Sequence, residues 1–519
     1  MPEALSQQKI FPWDGAFDAT KHPLLISAKD VVDSQNLVYT TYSTKRKRPG
    51  LKEFLVPTFP GNERILAGVD YWRFSDQYIV IYDGNNIWAI KPGQATWDNL
   101  SINYNLPTDA VCVFTKFQGL LIICFNDGAT SPKIWTGTGL LQELSDDAPY
   151  GPFCRVWLNK LWMPDPEIPG RVLHTETGTV NFVGGDSGAI DLDPNDGDPD
   201  GVTAVFPPFF YNLYVTKRFK IYKIIRSVIG TDVVYGFNQI SEGIGCNSHT
   251  SVASGPQNIF FTSDEGVHYF VSNDKISEVD SEDFSLSIQP LWIGQTNFKR
   301  SQYIQGVYDR ELKSYMLIYP SFSSSYPNDL WGFSIVARKW YRWSSFNQTS
   351  VFRYIDSINK QVKTAFGSDK GKLGYLDFTK TTDYGKPIDV SVRTGIIAPS
   401  GSPDNQYVFQ SMTPAFVPQT SGKFRITYKL DGRAIETQEF SMQDTGAGDL
   451  LGINFILGQS TLGGIPQVKL DKRNIKGSGM FYELLIEHDG IGDDSDGFEM
   501  LGVLMDVDPV SKKLGGTIA

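Results

Sequence analysis

Five histidines, His22, His174, His249, His268 and His488, have the widest chemical range in this 519-residue chain, and their spacing gives them little to do together. No HExxH or HxH arrangement puts two imidazoles on one metal, so a catalytic zinc is not expected. His268 falls in a strand-like run, where a packed or surface imidazole is commoner than a ligand or a base. No GxSxG elbow, P-loop or GxGxxG turn follows a strand, which leaves acyl transfer and nucleotide binding without a motif. The expected set of catalytic, cofactor-binding and metal-ligating residues is therefore none, and the chain is read as non-enzymatic.

Carboxylates offer three further candidates. The run Asp191-Leu-Asp-Pro-Asn-Asp-Gly-Asp-Pro-Asp200 clusters hard oxygen ligands suited to calcium, but glycine stands at 197 instead of the sixth position and the closing glutamate is missing. A solvated loop outweighs the calcium reading there, and Asp493-Asp-Ser-Asp496 reads the same way. Asp264 and Glu265, in a chain with many aromatics, are the kind of pair a glycan-binding or glycan-cleaving protein employs. Ser263-Asp-Glu-Gly266 is a single, partial likeness to the Asp-box turn of sialidase-like propellers. The basic run Lys45-Arg-Lys-Arg48 suits contact with DNA or a neighbouring subunit, and equally a charged hairpin end in water. Cys112, Cys124, Cys154 and Cys246 lie far apart without a CxxC spacing, as buried, reduced thiols do.

The elements that would position these groups are strands. Hydrophobic residues make up 41% and charged residues 20%, enough apolar material for a sizeable core. Aromatics at 13%, with 49 Gly and 29 Pro, suit pleated sheets punctuated by turns. A formal charge of −11 carries no basic footprint for phosphate backbones, so nucleic acid is not the obvious partner. The first residues lack the basic start and apolar run of a signal peptide, and no stretch reaches the roughly 18 apolar residues of a membrane span. Synthesis and folding in a cytoplasm is the expectation.

Paired apolar-aromatic runs recur. Tyr78–Ile90 is a hairpin around Asp83-Gly-Asn-Asn86, residues that tolerate positive φ. Similar pairs occur at 119–125 with 133–135, 212–216 with 220–224, 258–270, and 314–319 with 330–333 and 340–343; weaker ones lie near 153–182 and 351–378. A spacing of roughly 40 to 50 residues is the period of four-stranded propeller blades. The expected fold is all-β, a six- or seven-bladed β-propeller over 61–385, followed at 386–519 by a β-sandwich-like domain. Its longer alternating strands include Gly422–Leu430 and Gly479–Glu487. Residues 1–60 form an extended segment in which Asn36–Tyr42 is a candidate closing strand. Helix should be scarce.

One resemblance goes beyond periodicity. The stretch Gly197–Ile224, with Pro207-Pro-Phe-Phe-Tyr-Asn212 and Lys217-Arg-Phe-Lys-Ile-Tyr222, resembles a segment of phage tail and neck propeller proteins. So do Ile240–Cys246, Ile259-Phe-Phe261 and Asp264–Phe270, while Asn36 with Arg46-Lys-Arg-Pro-Gly50 is similar to the opening of these proteins. These motifs cover about half the chain, through residue 280. The resemblance implies a virion structural protein of a short-tailed bacteriophage, a packaged-DNA stabilisation or tail-nozzle protein. It would form a homo-oligomeric ring, typically a hexamer, below the portal-adaptor, and line the channel for DNA ejection without sequence-specific DNA binding. It would also dock fibres or spikes, with the virion tail as its location. The alternatives are a carbohydrate-binding or glycan-cleaving propeller and a bacterial protein-interaction propeller, because fold does not fix function.

Overall fold

Short strand-forming runs closed by Asp, Asn, Ser or Gly fold back on themselves as antiparallel meanders, because each turn residue lets the chain reverse before the next apolar run begins. The computed structural model describes residues 6–510 apart from 11–13, 41–43, 55, 58, 61–63, 194–199, 231, 273–278, 358, 400–404, 444–467 and 491–496. It divides into two compact units, Glu53–Gly332 with Ser344–Leu376, and Met1–Lys52 with Phe333–Trp343 and Asp377–Ala519.

The first of these units is a β-propeller arrangement. Five successive four-stranded sheets begin with Ala67–Arg73, Asp76–Tyr82, Ile87–Ile90 and Asp98–Asn99. The second runs Cys112–Phe117, Leu120–Phe125, Lys133–Trp135, Gln142–Glu143, and the third Arg155–Trp157, Lys160–Pro164, Arg171–His174, Gly188–Asp191. The fourth is Ala204–Val205, Leu213–Thr216, Lys220–Ile229, Asp232–Glu242, and the fifth Ala253–Ser254, Asn258–Thr262, Val267–Ser272, Val279–Asp283. A sixth and a seventh sheet follow from Gln305–Asp309, Ser314–Tyr319 and Asp329–Ser334, and from Gln348–Asp356, Gln361–Ser368 and Leu373–Asp377. The hairpins expected from sequence pair as expected, Ile79 with Ile90, Leu121 with Trp135 and Thr262 with Val267. Among the described residues the one α-helix is Gln289–Gln295.

A repeated device fixes the turn after the second strand. Asp83 Oδ1 accepts the Asn85 and Asn86 amides at 2.8 and 2.6 Å, and its Oδ2 accepts Trp88 Nε1 at 2.8 Å. Asp127 accepts the Ala129 and Thr130 amides, Asp165 accepts that of Glu167, Ser263 Oγ accepts those of Glu265 and Gly266, and Ser368 Oγ accepts those of Lys370 and Lys372. Each side-chain oxygen satisfies amides that the reversing backbone leaves unpaired.

The ring closes through its innermost strands. Gln348–Asp356 packs against Ala67–Arg73, where Asp70 Oδ2 accepts the Ile355 amide at 3.0 Å and Gln77 Nε2 donates to Ile355 O at 2.6 Å. Between neighbouring sheets lies a continuous apolar core that includes Val80, Ile123, Trp162, Val172, Val215 and Tyr222.

Among the described residues, most strands of the second unit fall in two sheets. Glu499–Pro509 pairs with Tyr407–Phe416, with Ser6–Ile10 and with Lys45–Lys47, which in turn pairs with Leu37–Tyr39. Tyr482–His488 lies between Val390–Thr394 and Lys423–Leu430. Phe409 and Tyr482 stand 5.7 Å apart and Phe416 and Phe424 5.1 Å, ring pairs on which a sandwich-like reading of this unit rests.

Here the basic run departs from expectation. Lys45, Lys47 and Arg48 are buried and only Arg46 is exposed, so the segment is not a hydrated hairpin end. Arg48 is held by the Asp383 carboxylate, donates from Nε to Asn36 Oδ1 at 3.2 Å and lies over the Trp343 ring. Burial, reinforced by Lys339, pushes the Lys45 ammonium down to about 7.

Two outcomes follow from these local arrangements. Asp83→Ala removes an acceptor from three donors and is expected to cost about 1–3 kcal/mol, read as a lower denaturation midpoint at unchanged slope. Lys45 has a folded pKa below its unfolded value of about 10.4, so its burial cost is complete below neutral pH and disappears as pH rises toward that value. Lys45→Met should therefore melt higher than the parent at pH 6, with the advantage shrinking toward pH 10.

Candidate functional site

The residues singled out from sequence do not assemble. His174 and His249 are buried in ring contacts, with Trp162 and Tyr235 and with Phe153, and burial lowers both imidazoles from their usual range. His268 Nε2 meets Ser263 Oγ at 2.8 Å, a serine–histidine pair, yet both residues are buried and Ser263 Oγ already caps its turn. His488 is buried against Phe498, and His22 is exposed. Asp264 accepts Arg218 Nε at 2.6 Å and Asn247 Nδ2 at 3.2 Å. Asp191 is bound by Arg171, whereas 194–199 and 493–496 lie outside the described residues. Among the described residues no group of three or more His, Cys, Asp or Glu is placed to hold a metal ion, and no helix is long and apolar enough to cross a membrane. All four cysteines are free and buried, as expected, although Cys124 and Cys154 come within 3.8 Å of one another.

The arrangement that the fold does build is at the propeller axis. A cavity of about 290 Å³ is lined by the inner strands, with Val69, Val252, Val307 and Phe352 as apolar wall and Lys116, Arg155 and Arg353 as its charged groups. No carboxylate lines it. Arg155 Nε donates to Val205 O at 3.2 Å, and Arg353 Nη2 reaches Ser254 O at 2.7 Å. Burial lowers the Lys116 ammonium and the Arg353 guanidinium, more than Asp70 and Asp309 oppose it, and pushes Arg155 down to about 10. The nearest carboxylates are engaged: Asp70 by Trp72, Gln77 and the Ile355 amide, Asp309 by Thr364 and the Leu312 amide.

The two ends of the inner strands differ. Before them, Gln305 Nε2 donates to Leu66 O and to Thr349 O, tying three sheets together, and Asp109 accepts Arg300 at 2.7 and 2.8 Å and the Tyr326 hydroxyl at 2.5 Å. After them come turns with bulky residues in the left-handed region: Phe74 at φ 51°, Leu158 at 49°, Phe210 at 46° and Tyr211 at 66°. Such angles are costly for side chains of this size. Phe74 is 93% exposed and Tyr211 94%, so neither recovers that cost by burial in this chain, while Phe210, 50% exposed, packs edge-on against Phe209 at 4.5 Å. Inner strands of a propeller run in one direction about the axis, which places these turns on one face. Sequence reading quoted Phe210 and Tyr211 for their likeness and not for their exposure, and it missed the axial cations, which come from separate sheets.

No family model matches the chain, and no curated protein matches it. Among solved structures, the chain is similar to one in a mitotic checkpoint complex (11% identity, 70% of this chain and 99% of that one, TM-score 0.37). It is also similar to YCF48 from Cyanidioschyzon merolae (12%, 63% and 98%, 0.38) and to BamB from Moraxella catarrhalis (10%, 67% and 97%, 0.33).

Replacing Phe210-Tyr211 by Asn-Gly supplies the residues that a tight turn with two positive φ angles favours. The double variant is expected to gain about 1 kcal/mol of stability, measured by denaturant melting, because the bulky pair is strained and largely exposed.

Proposed function

We propose that the chain is a protein-binding propeller with a structural role and no catalytic one, and that the assembly it serves is the tail of a short-tailed phage. The observation that carries the first part is the face bearing Phe74, Leu158, Phe210 and Tyr211. Exposed apolar residues held at unfavourable backbone angles gain little within the chain beyond local contacts such as Phe210 on Phe209, and a partner surface that buries them gives the arrangement a use. The absence of an accessible acid–base or nucleophile–base pair in the candidates above supports a binding role.

The phage assignment rests on the likeness at 197–224, at pieces of 240–270 (240–246, 251–252, 259–261 and 264–270), and at Asn36 with 46–50. The first two segments fall on strands of the fourth and fifth sheets, among them Leu213–Thr216 and Asn258–Thr262. A ring below a portal-adaptor, retaining packaged DNA and docking fibres or spikes, is the specific form of this reading. The burial of Lys45, Lys47 and Arg48 removes the one basic run from contact with DNA, which suits a wall that does not grip a passing genome.

Native mass spectrometry of the purified chain, alone and with a portal-adaptor complex, tests this reading. A closed ring, formed alone or on the adaptor, is the expected result. The Phe210→Asn/Tyr211→Gly double variant should assemble more weakly although it is the more stable chain. A persistent monomer indifferent to the adaptor would overturn the tail assignment.

A further inference from the structure

The axial cavity has a chemistry of its own that does not depend on what the outer face binds. Lys116, Arg155 and Arg353 come from three different sheets, converge on one cavity of about 290 Å³ and meet no carboxylate there, in a protein whose formal charge is −11. Among the described residues none of the three makes an ion pair. Elsewhere the chain pairs buried cations, Lys133 with Glu143 and Lys160 with Asp186. All three line a cavity to which no carboxylate contributes, so an anion entering it would meet cations that no acidic group of the wall has answered.

We propose that this axial cavity is a binding site for an oxyanion, a carboxylate or phosphate group carried on a small, partly apolar body. Arg155 is the fixed element, with Nε anchored on Val205 O and the rest of its fork available for bidentate contact. Arg353 is anchored by one nitrogen on Ser254 O, and Lys116, the penultimate residue of its strand, is exposed at the mouth. Val69, Val252, Val307 and Phe352 provide the apolar wall against which the body of the ligand lies. Two cations reachable from water and one deeper make the site selective for more than one negative charge.

The experiment is thermal-shift and calorimetric titration of the full chain with citrate as the carboxylate probe and inorganic pyrophosphate as the phosphate probe, at constant ionic strength set with chloride. Saturable stabilisation by at least one probe below about 10 mM is expected, and the stronger probe identifies the group the site takes. Lys116→Gln and Arg353→Gln should each weaken that binding by about tenfold, and Arg353→Lys should retain most of it. Circular dichroism checks that the variants fold; Lys116→Gln should melt no lower than the parent, and Arg353→Gln, which gives up the bond to Ser254 O, only slightly lower. Absence of a shift with both probes, or a shift of equal size in the Gln variants, would overturn the proposal. Either result leaves the ring-assembly test untouched, so the two readings fail separately.

Discussion

A sheet that twists and fans around an axis has to meet itself, and in this chain that meeting is made by polar contacts inside the ring. Asp70 accepts the Ile355 amide while Gln77 donates to the carbonyl of the same residue, so one peptide of the seventh sheet is bonded on both sides by the first. Gln305 adds a second tie, donating to Leu66 O and Thr349 O and accepting the Val351 amide at 3.1 Å through Oε1. Buried amides without such partners would each cost on the order of 1–3 kcal/mol, and the apolar packing between sheets would not compensate for a ring left open along one edge.

Closure also explains where the unusual chemistry sits. Once the inner strands are drawn together, their side chains have little room, and Val69, Val252, Ala253, Gly306 and Val307 are among the residues that line the axis. Lys116, Arg155 and Arg353, from three separate sheets, line the same cavity once the ring is closed. Asp109 shows the opposite solution at the starting ends of the strands, where one carboxylate gathers Arg300 and two tyrosine hydroxyls and leaves no charge unanswered. The contrast between a satisfied cluster and an unsatisfied one within a single unit marks the axis as a place where stability has been traded for binding.

Much of the fold was legible because its signals are local. Asp83-Gly-Asn-Asn86 announces a turn and Tyr78–Ile90 alternates around it, so the hairpin needs no distant information. The outermost strands were invisible for the opposite reason: Asp98–Asn99 and Gln142–Glu143 are two polar residues each, with no periodicity to detect. The hairpin of Lys220–Ile229 and Asp232–Glu242 was seen only as far as Ile224, since beyond it Val228, Ile229, Val233 and Val234 are exposed and do not follow a core-facing alternation. Lys45–Arg48 was misjudged because what neutralises Arg48 is Asp383, 335 residues away. The axial cations and the Cys124–Cys154 approach share that difficulty, as they exist only after separate sheets are brought together.

The claim at the centre of this account is that the turns following the inner strands form the protein-binding face. Hydrogen–deuterium exchange of the chain alone and in its assembled state addresses it directly. Slowed exchange on assembly in peptides covering 73–76, 157–160 and 207–213 is the result this account predicts; unchanged exchange there, with new protection confined to other surfaces, would contradict it.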